Sequence, residues 1–171
     1  MNTHNQIPST HLAVQQSNHN ATSFLGHRMG DHRETAMGQT FVASSDGVLE
    51  NIEVFSSIVA NPGQVIMTLH AFDPQSQSWG PALGSAAVAF SKSDNDKWVA
   101  FQIPGLRLTK GLSYGFRLQS HDSYVGVGEA AGSAGNPPYS FGKEWKFNAK
   151  DEKGDAFAYF SLAFKVGLKA A

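Results

Sequence analysis

Leu112-Ser113-Tyr114-Gly115-Phe116-Arg117-Leu118-Gln119 decides the fold. Leu112, Tyr114, Phe116 and Leu118 fall on one side of an extended backbone, and Ser113, Gly115, Arg117 and Gln119 on the other. That period of two is what a half-buried strand requires. Residues 64–72 repeat it, with Val65, Met67, Leu69 and Ala71 opposite Thr68 and His70. Further β-favouring runs occupy 38–43, 48–55, 83–90, 97–103, 106–108, 123–128 and 156–166. Turn chemistry separates them: Ser45-Asp46-Gly47, Asn61-Pro62-Gly63, Pro104-Gly105 and Thr109-Lys110-Gly111. Proline presets φ for a turn, and glycine takes the positive φ that some turn positions demand. No segment shows the 3.6-residue period of an amphipathic helix.

Roughly nine or ten short strands with almost no helix predict an all-β fold. The expected architecture is an antiparallel two-sheet β-sandwich of jelly-roll type. Residues 1–20 read as a polar, flexible leader, because they hold few large apolar side chains to offset the entropy of ordering. Residues 21–171 then form a single β-sandwich domain, with the closing strand near the first. In 156–166, Ala158, Phe160, Leu162, Phe164 and Val166 should face the core.

The chain has 171 residues, enough to bury a core without staples, and its formal net charge is −1. No basic excess exists to neutralise phosphates, so the composition gives no nucleic-acid footprint. The absence of cysteine excludes disulfides, thiolate catalysis and cysteine-held metals. No apolar run approaches the ~18 residues of a membrane-spanning helix.

Catalytic motifs are missing. There is no His-x-His pair, no H-E-x-x-H, no G-x-S-x-G elbow and no phosphate-binding loop. His27 and His32, with Asp31 or Glu34, form the densest polar cluster, but an i, i+5 spacing suits neither a helix face nor a strand face. A polar loop before the first core strand is the plainer reading. Paired carboxylates would serve a glycosidase. Glu50 and Glu53 sit three apart and face opposite ways on a strand, while Asp151 and Glu152 lie in a charged turn. Only Glu129 and Glu144 occupy aromatic-rich ground.

The stretch 129–154 carries Tyr139, Phe141, Trp145 and Phe147 among Gly, Asn and Pro. A long irregular segment in a small domain is frequently functional. Sugar rings present apolar C–H faces that stack on amphipathic aromatic rings. Tyr139 and Trp145 are therefore the candidate ligand-binding rings, joined by Trp79 in the polar loop 73–81. Asn136 and Glu144, with Lys143 nearby, are candidate hydrogen-bonding partners. The competing reading has Tyr139 and Trp145 pinning the loop to the sheet.

The order of features from 38 to 166 resembles the jelly-roll accessory modules of bacterial secreted and surface proteins, of carbohydrate-binding and adhesion type. Leu108, Gly111 and Tyr114 match an L-x-x-G-x-x-Y strand entry. Ser161-Leu162-Ala163-Phe164 matches a closing D-L-A-F strand without its aspartate. The resemblance implies a lectin-like binding or display module, a secreted or cell-surface location, and glycan or another protein as partner. Similar modules often hold a structural calcium, for which Asp46, Asp122 and Asp155 are the oxygen candidates. A non-catalytic carbohydrate-binding module is thus the leading expectation. A structural or adhesion subunit acting through sheet faces and edges is the alternative. A small glycan-active hydrolase or lyase, using Glu129, Glu144 or the His27/His32 cluster, is the second.

Overall fold

The computed structural model describes residues 9–148 and 153–170. His4, Asp151 and Glu152 lie outside the described residues. The described residues form fourteen strands and one 3-10 turn (Lys92–Asp94). The strands run β1 (Thr10–Gln16), β2 (Ala21–His27), β3 (Glu34–Val42), β4 (Gly47–Asn61), β5 (Gly63–Asp73), β6 (Ser78–Phe90) and β7 (Lys97–Phe101). They continue with β8 (Arg107–Leu108), β9 (Ser113–Gln119), β10 (Tyr124–Ala131), β11 (Glu144–Asn148), β12 (Asp155–Phe157), β13 (Phe160–Leu162) and β14 (Phe164–Lys169).

The all-β, antiparallel expectation holds, with two differences in detail. The strands number fourteen, and several are long, β4 reaching 15 residues and β6 13. Hydrogen bonding also joins them all into one curled sheet, in the order β1-β14-β4-β10-β2-β3-β9-β5-β6, with the remaining strands attached at its flanks. The reason is strand sharing. β4 pairs with β14, β7, β8 and β10 along different parts of its length, and β3 pairs with β2, β11 and β9.

The two stretches that alternate best in sequence are β5 and β9, paired from Ile66↔Gln119 to Ala71↔Tyr114. Val65, Met67, Leu69, Tyr114, Phe116 and Leu118 are buried on their inner face, whereas Leu112 lies before β9 and is 54% exposed. Phe41, Phe116 and Phe164 meet at ring-centroid distances of 5.8–6.5 Å in the centre of the core. Asn61-Pro62-Gly63 does turn the chain, but β4 and β5 do not pair with each other. The corner is latched instead by Asp122, whose Oδ1 accepts the Gln64 N–H at 2.9 Å, and by Ser120, whose hydroxyl donates to the Gln64 carbonyl at 2.8 Å. A Cβ at Gly63 would stand 2.6 Å from Asp122 Oδ1 and 2.8 Å from Ser123 Cβ, so a larger residue here must displace the latch.

The stretch read as a leader contains β1, paired with β14 from Thr10↔Lys169 to Gln16↔Phe164. The closing strand therefore adjoins the first strand of the chain. The run 156–166 is three elements rather than one, because a turn at Ala158 and Tyr159 separates β12 from β13. Leu162, Phe164 and Val166 are buried as expected, while Ala158 is exposed and Phe160 half-buried.

Candidate functional site

The outward face of β3 and β9 is bare at Gly38 and Gly115, and Trp79 of β6 occupies the space. A Cβ at Gly115 would come within 2.4 Å of Trp79 Cζ3, and one at Gly38 within 3.0 Å of Cη2. Phe72, Trp145 and Phe147 surround this indole edge-on, at 5.6, 5.7 and 5.6 Å. Such perpendicular arrangements suit the quadrupoles of the rings. The Arg117 guanidinium lies 3.8 Å from the Phe147 ring centroid. His70 abuts Trp79 edge-on at 5.6 Å, and its Nδ1 lies 3.0 Å from the Gly80 carbonyl. Burial first, and then the Arg117 charge, hold the His70 imidazole below its ordinary pKa, against the pull of that hydrogen bond. These rings form a second, smaller core on the outside of the sheet.

Beside it the chain builds a cleft. Thr40 of β3 receives the segment before β11: its amide donates to the Lys143 carbonyl at 3.0 Å, and its hydroxyl accepts the Lys143 N–H at 2.9 Å. A Cβ at Gly142 would stand 1.8 Å from the Thr40 carbonyl oxygen, so glycine is obligatory at this contact. That clamp leaves Phe141 70% exposed. Opposite stands the β5–β6 turn, held by Asp73, whose carboxylate accepts from the Ser76 hydroxyl and the Gln75 amide at 2.8 and 2.9 Å. The Ser76 bond, seconded by the Gln75 amide, holds the Asp73 carboxyl below its ordinary range. Between the two lies a space of about 260 Å³, lined by Phe72, Pro74, Gln77, Ser113, Phe141 and Lys143. Gln77 also borders a second hollow of about 310 Å³ with Ser76, Ser78, Trp79 and Lys153. Gln77 adopts a φ of +52°, an uncommon left-handed conformation at the ridge between the two hollows.

The residues singled out from sequence separate into distinct places. Trp79 borders the second hollow. Trp145 is 4% exposed and supports the site from behind. Tyr139 is half-buried; its hydroxyl accepts the Val42 N–H at 3.4 Å and its ring meets Phe164 edge-on at 5.4 Å. Tyr139 thus posts the loop onto the core, and burial raises its phenol pKa. Asn136 is exposed and borders a different hollow with His19, Pro137 and Pro138. Glu144 points to the inner face of β11, away from the rings, beside Glu129 and Lys146. Phe141 stands out in sequence only as one of the aromatic residues of 129–154, and Gly142 and Gln77 carry no signal there.

Glu34 joins His27 at 3.9 Å and His121 at 2.9 Å. A histidine distant in sequence, His121, thus shares Glu34 with His27, and His32 is exposed in the segment between β2 and β3. Asp46 and Asp122 accept the Lys110 and Gln64 amides at separate turns, and Asp155 lies on β12. Among the described residues no group of three or more metal-ligating side chains converges. No described helix is long and apolar enough to cross a membrane.

No protein-family model matches the chain, and no curated protein matches it. Among solved structures, the chain is similar to the crystal structure of the cysteine protease and lectin-like domains of Cwp84, a surface layer associated protein of Clostridium difficile. The TM-score is 0.50 at 10% identity, over 81% of this chain. The chain spans 33% of that polypeptide's length, and the likeness is one of fold.

Proposed function

We propose that the chain is a non-catalytic carbohydrate-binding module, a lectin-like jelly-roll sandwich that serves at a cell surface or in secretion. The observation that carries the reading is Phe141, a ring held outward by the Gly142–Thr40 clamp at the edge of a cleft that also offers Gln77, Ser113 and Lys143. An apolar wall with a few fixed polar groups is the usual make-up of a small-ligand site. A pyranose stacks its C–H face on Phe141 while its hydroxyls meet the Gln77 amide and Lys143. Trp79, across the Gln77 ridge, supplies the next subsite for a chain of sugars. Trp145 and Tyr139 act as supports, holding the β11 segment and the loop in place. The likeness to a structure that includes a lectin-like domain agrees with this reading.

Affinity electrophoresis through gels containing polysaccharides, followed by a glycan array, tests it. Retardation by at least one saccharide, lost in Phe141→Ala and weakened in Trp79→Ala, is expected. Binding untouched by both substitutions removes the cleft from the function.

A further inference from the structure

Directly behind the Lys143 wall of the cleft, two carboxyl groups face each other in the interior. Glu129 of β10 is 5% exposed and Glu144 of β11 is 0% exposed. The Lys146 ammonium lies 3.6 Å from one and 3.9 Å from the other. Neither distance is a hydrogen bond, and Glu129 Oε2 and both Glu144 oxygens have no hydrogen-bond partner when the two groups are counted as carboxylates. Buried carboxylate oxygens without donors are strongly disfavoured, so the arrangement calls for a proton. Lys146 itself spans the rings of Phe157 of β12 and Phe160 of β13, at 5.4 and 5.1 Å, on the segment that covers the pair.

We propose that Glu129 and Glu144 share one proton and, with Lys146, form a clasp that holds β11 under its β12–β13 cover. When the proton leaves, the clasp opens and the Lys143 wall of the cleft loosens. The inference gives a regulation to the saccharide site and rests on that reading only in this last consequence.

The charge count favours the shared proton. One carboxylate, one carboxylic acid and one ammonium sum to zero, whereas loss of the proton leaves an excess negative charge in the interior. Two carboxylates in one buried site do not ionise together at neutral pH. Burial above all, then the hydrogen bond to Glu129 and the Glu129 charge, push the Glu144 carboxyl up to about 10, with Lys146 pulling the other way. The other groups facing the pair do not replace the proton. Gln39 of β3, Ser161 of β13 and Ala21 of β2 are uncharged. Asp155 of β12, opposite Lys146, adds a further negative charge at the exposed rim. Tyr159 is the remaining titratable group on the cover.

The cover is also the part of the fold suited to open. β12 and β13 are three residues each; among the described residues β12 pairs only with β11, and β13 only with β10. Elements held by so few ladder bonds belong to the low-stability end of a structure and open before the core.

The test uses the full chain labelled with ¹³C at the glutamate side-chain carboxyls. The resonance that disappears in Glu144→Gln should keep its acid shift beyond pH 8, and in Glu129→Gln it should titrate at lower pH. Subtilisin nicking within 144–162, normalised to an unfolded substrate, should rise about tenfold between pH 7 and 10 in the parent and stay level in Glu144→Gln. A Glu144 carboxyl already ionised at pH 7, or a Glu144→Gln protein nicked with the parent's pH profile, overturns the clasp. Saccharide binding is read separately: its absence defeats the proposed function and leaves both measurements of the clasp standing.

Discussion

Gly115 is the floor on which Trp79 rests: a Cβ there would approach Trp79 Cζ3 to 2.4 Å. The relationship makes one missing methyl responsible for a ring on the neighbouring hollow. Gly115→Ala should push the indole off its seat and disturb Phe72, Trp145 and Phe147 with it. Overpacking of this kind costs about 1–3 kcal/mol. Urea denaturation should show that loss, together with a red shift of the tryptophan emission. Gly135→Ala, where no atom lies within 4 Å of the added Cβ, is the control and should change neither.

Phe141 and Tyr139 sit two residues apart and should answer differently. Phe141 is 70% exposed, so Phe141→Ala should alter stability by less than about 0.5 kcal/mol while abolishing saccharide retention. Tyr139→Phe removes only the hydroxyl that accepts from Val42 and should cost about 1 kcal/mol. Tyr139→Ala empties a place beside Phe164 and should cost about 3 kcal/mol. Thermal melts paired with affinity electrophoresis separate the two roles; a destabilised Phe141→Ala would make that ring a support as well.

Much of the sheet was legible because β5 and β9 alternate cleanly, one face buried and one half-exposed. β11 was not, and the reason is physical. Glu-Trp-Lys-Phe does alternate, but Glu144 faces the inner core and Trp145 the outer one, and both are buried, so the alternation points the core to the wrong face. β1 is polar because its stability comes from backbone pairing with β14, which side-chain patterning does not register. Trp79 read as a loop residue since Asp73 and Ser76 close the turn tightly enough for β6 to begin at Ser78. For the site, the sequence singled out the aromatic rings of 129–154 and drew attention to Glu129 and Glu144. It had no means to say which ring faces out. That is set by Gly142 against Thr40, a contact between residues about a hundred positions apart.

Gly142→Ala tests that contact. The added methyl would meet the Thr40 carbonyl at 1.8 Å, so the Lys143 backbone must withdraw from β3. Stability should fall by about 1–3 kcal/mol, and saccharide affinity should drop with it, although no cleft side chain has changed. Denaturation and binding measured on one preparation decide the matter. Unchanged binding would show that the cleft tolerates a displaced Lys143 wall.

The buried carboxyl pair gives the whole fold a pH dependence of definite sign. Glu144 takes its proton near 4.5 when unfolded and at about 10 when folded. Between those values the folded chain holds a proton that the unfolded chain has released, so stability falls as pH rises through the window. Below about 4.5 both states are protonated and the contribution is fully present; above about 10 both are ionised and the slope ends. Glu144→Gln keeps the shape, needs no proton and can donate its amide to Glu129. It should therefore flatten the alkaline limb of a stability–pH curve and stabilise the protein by about 1–3 kcal/mol at pH 8, where the parent must hold the acid form against solvent. Lys146→Met should act oppositely, because it removes the ammonium beside Glu129 and leaves that carboxylate buried without a counter-charge. Chemical denaturation of the three proteins from pH 5 to 10 reads both effects, and a Glu144→Gln curve parallel to the parent's would mean that Glu144 is ionised in the folded state.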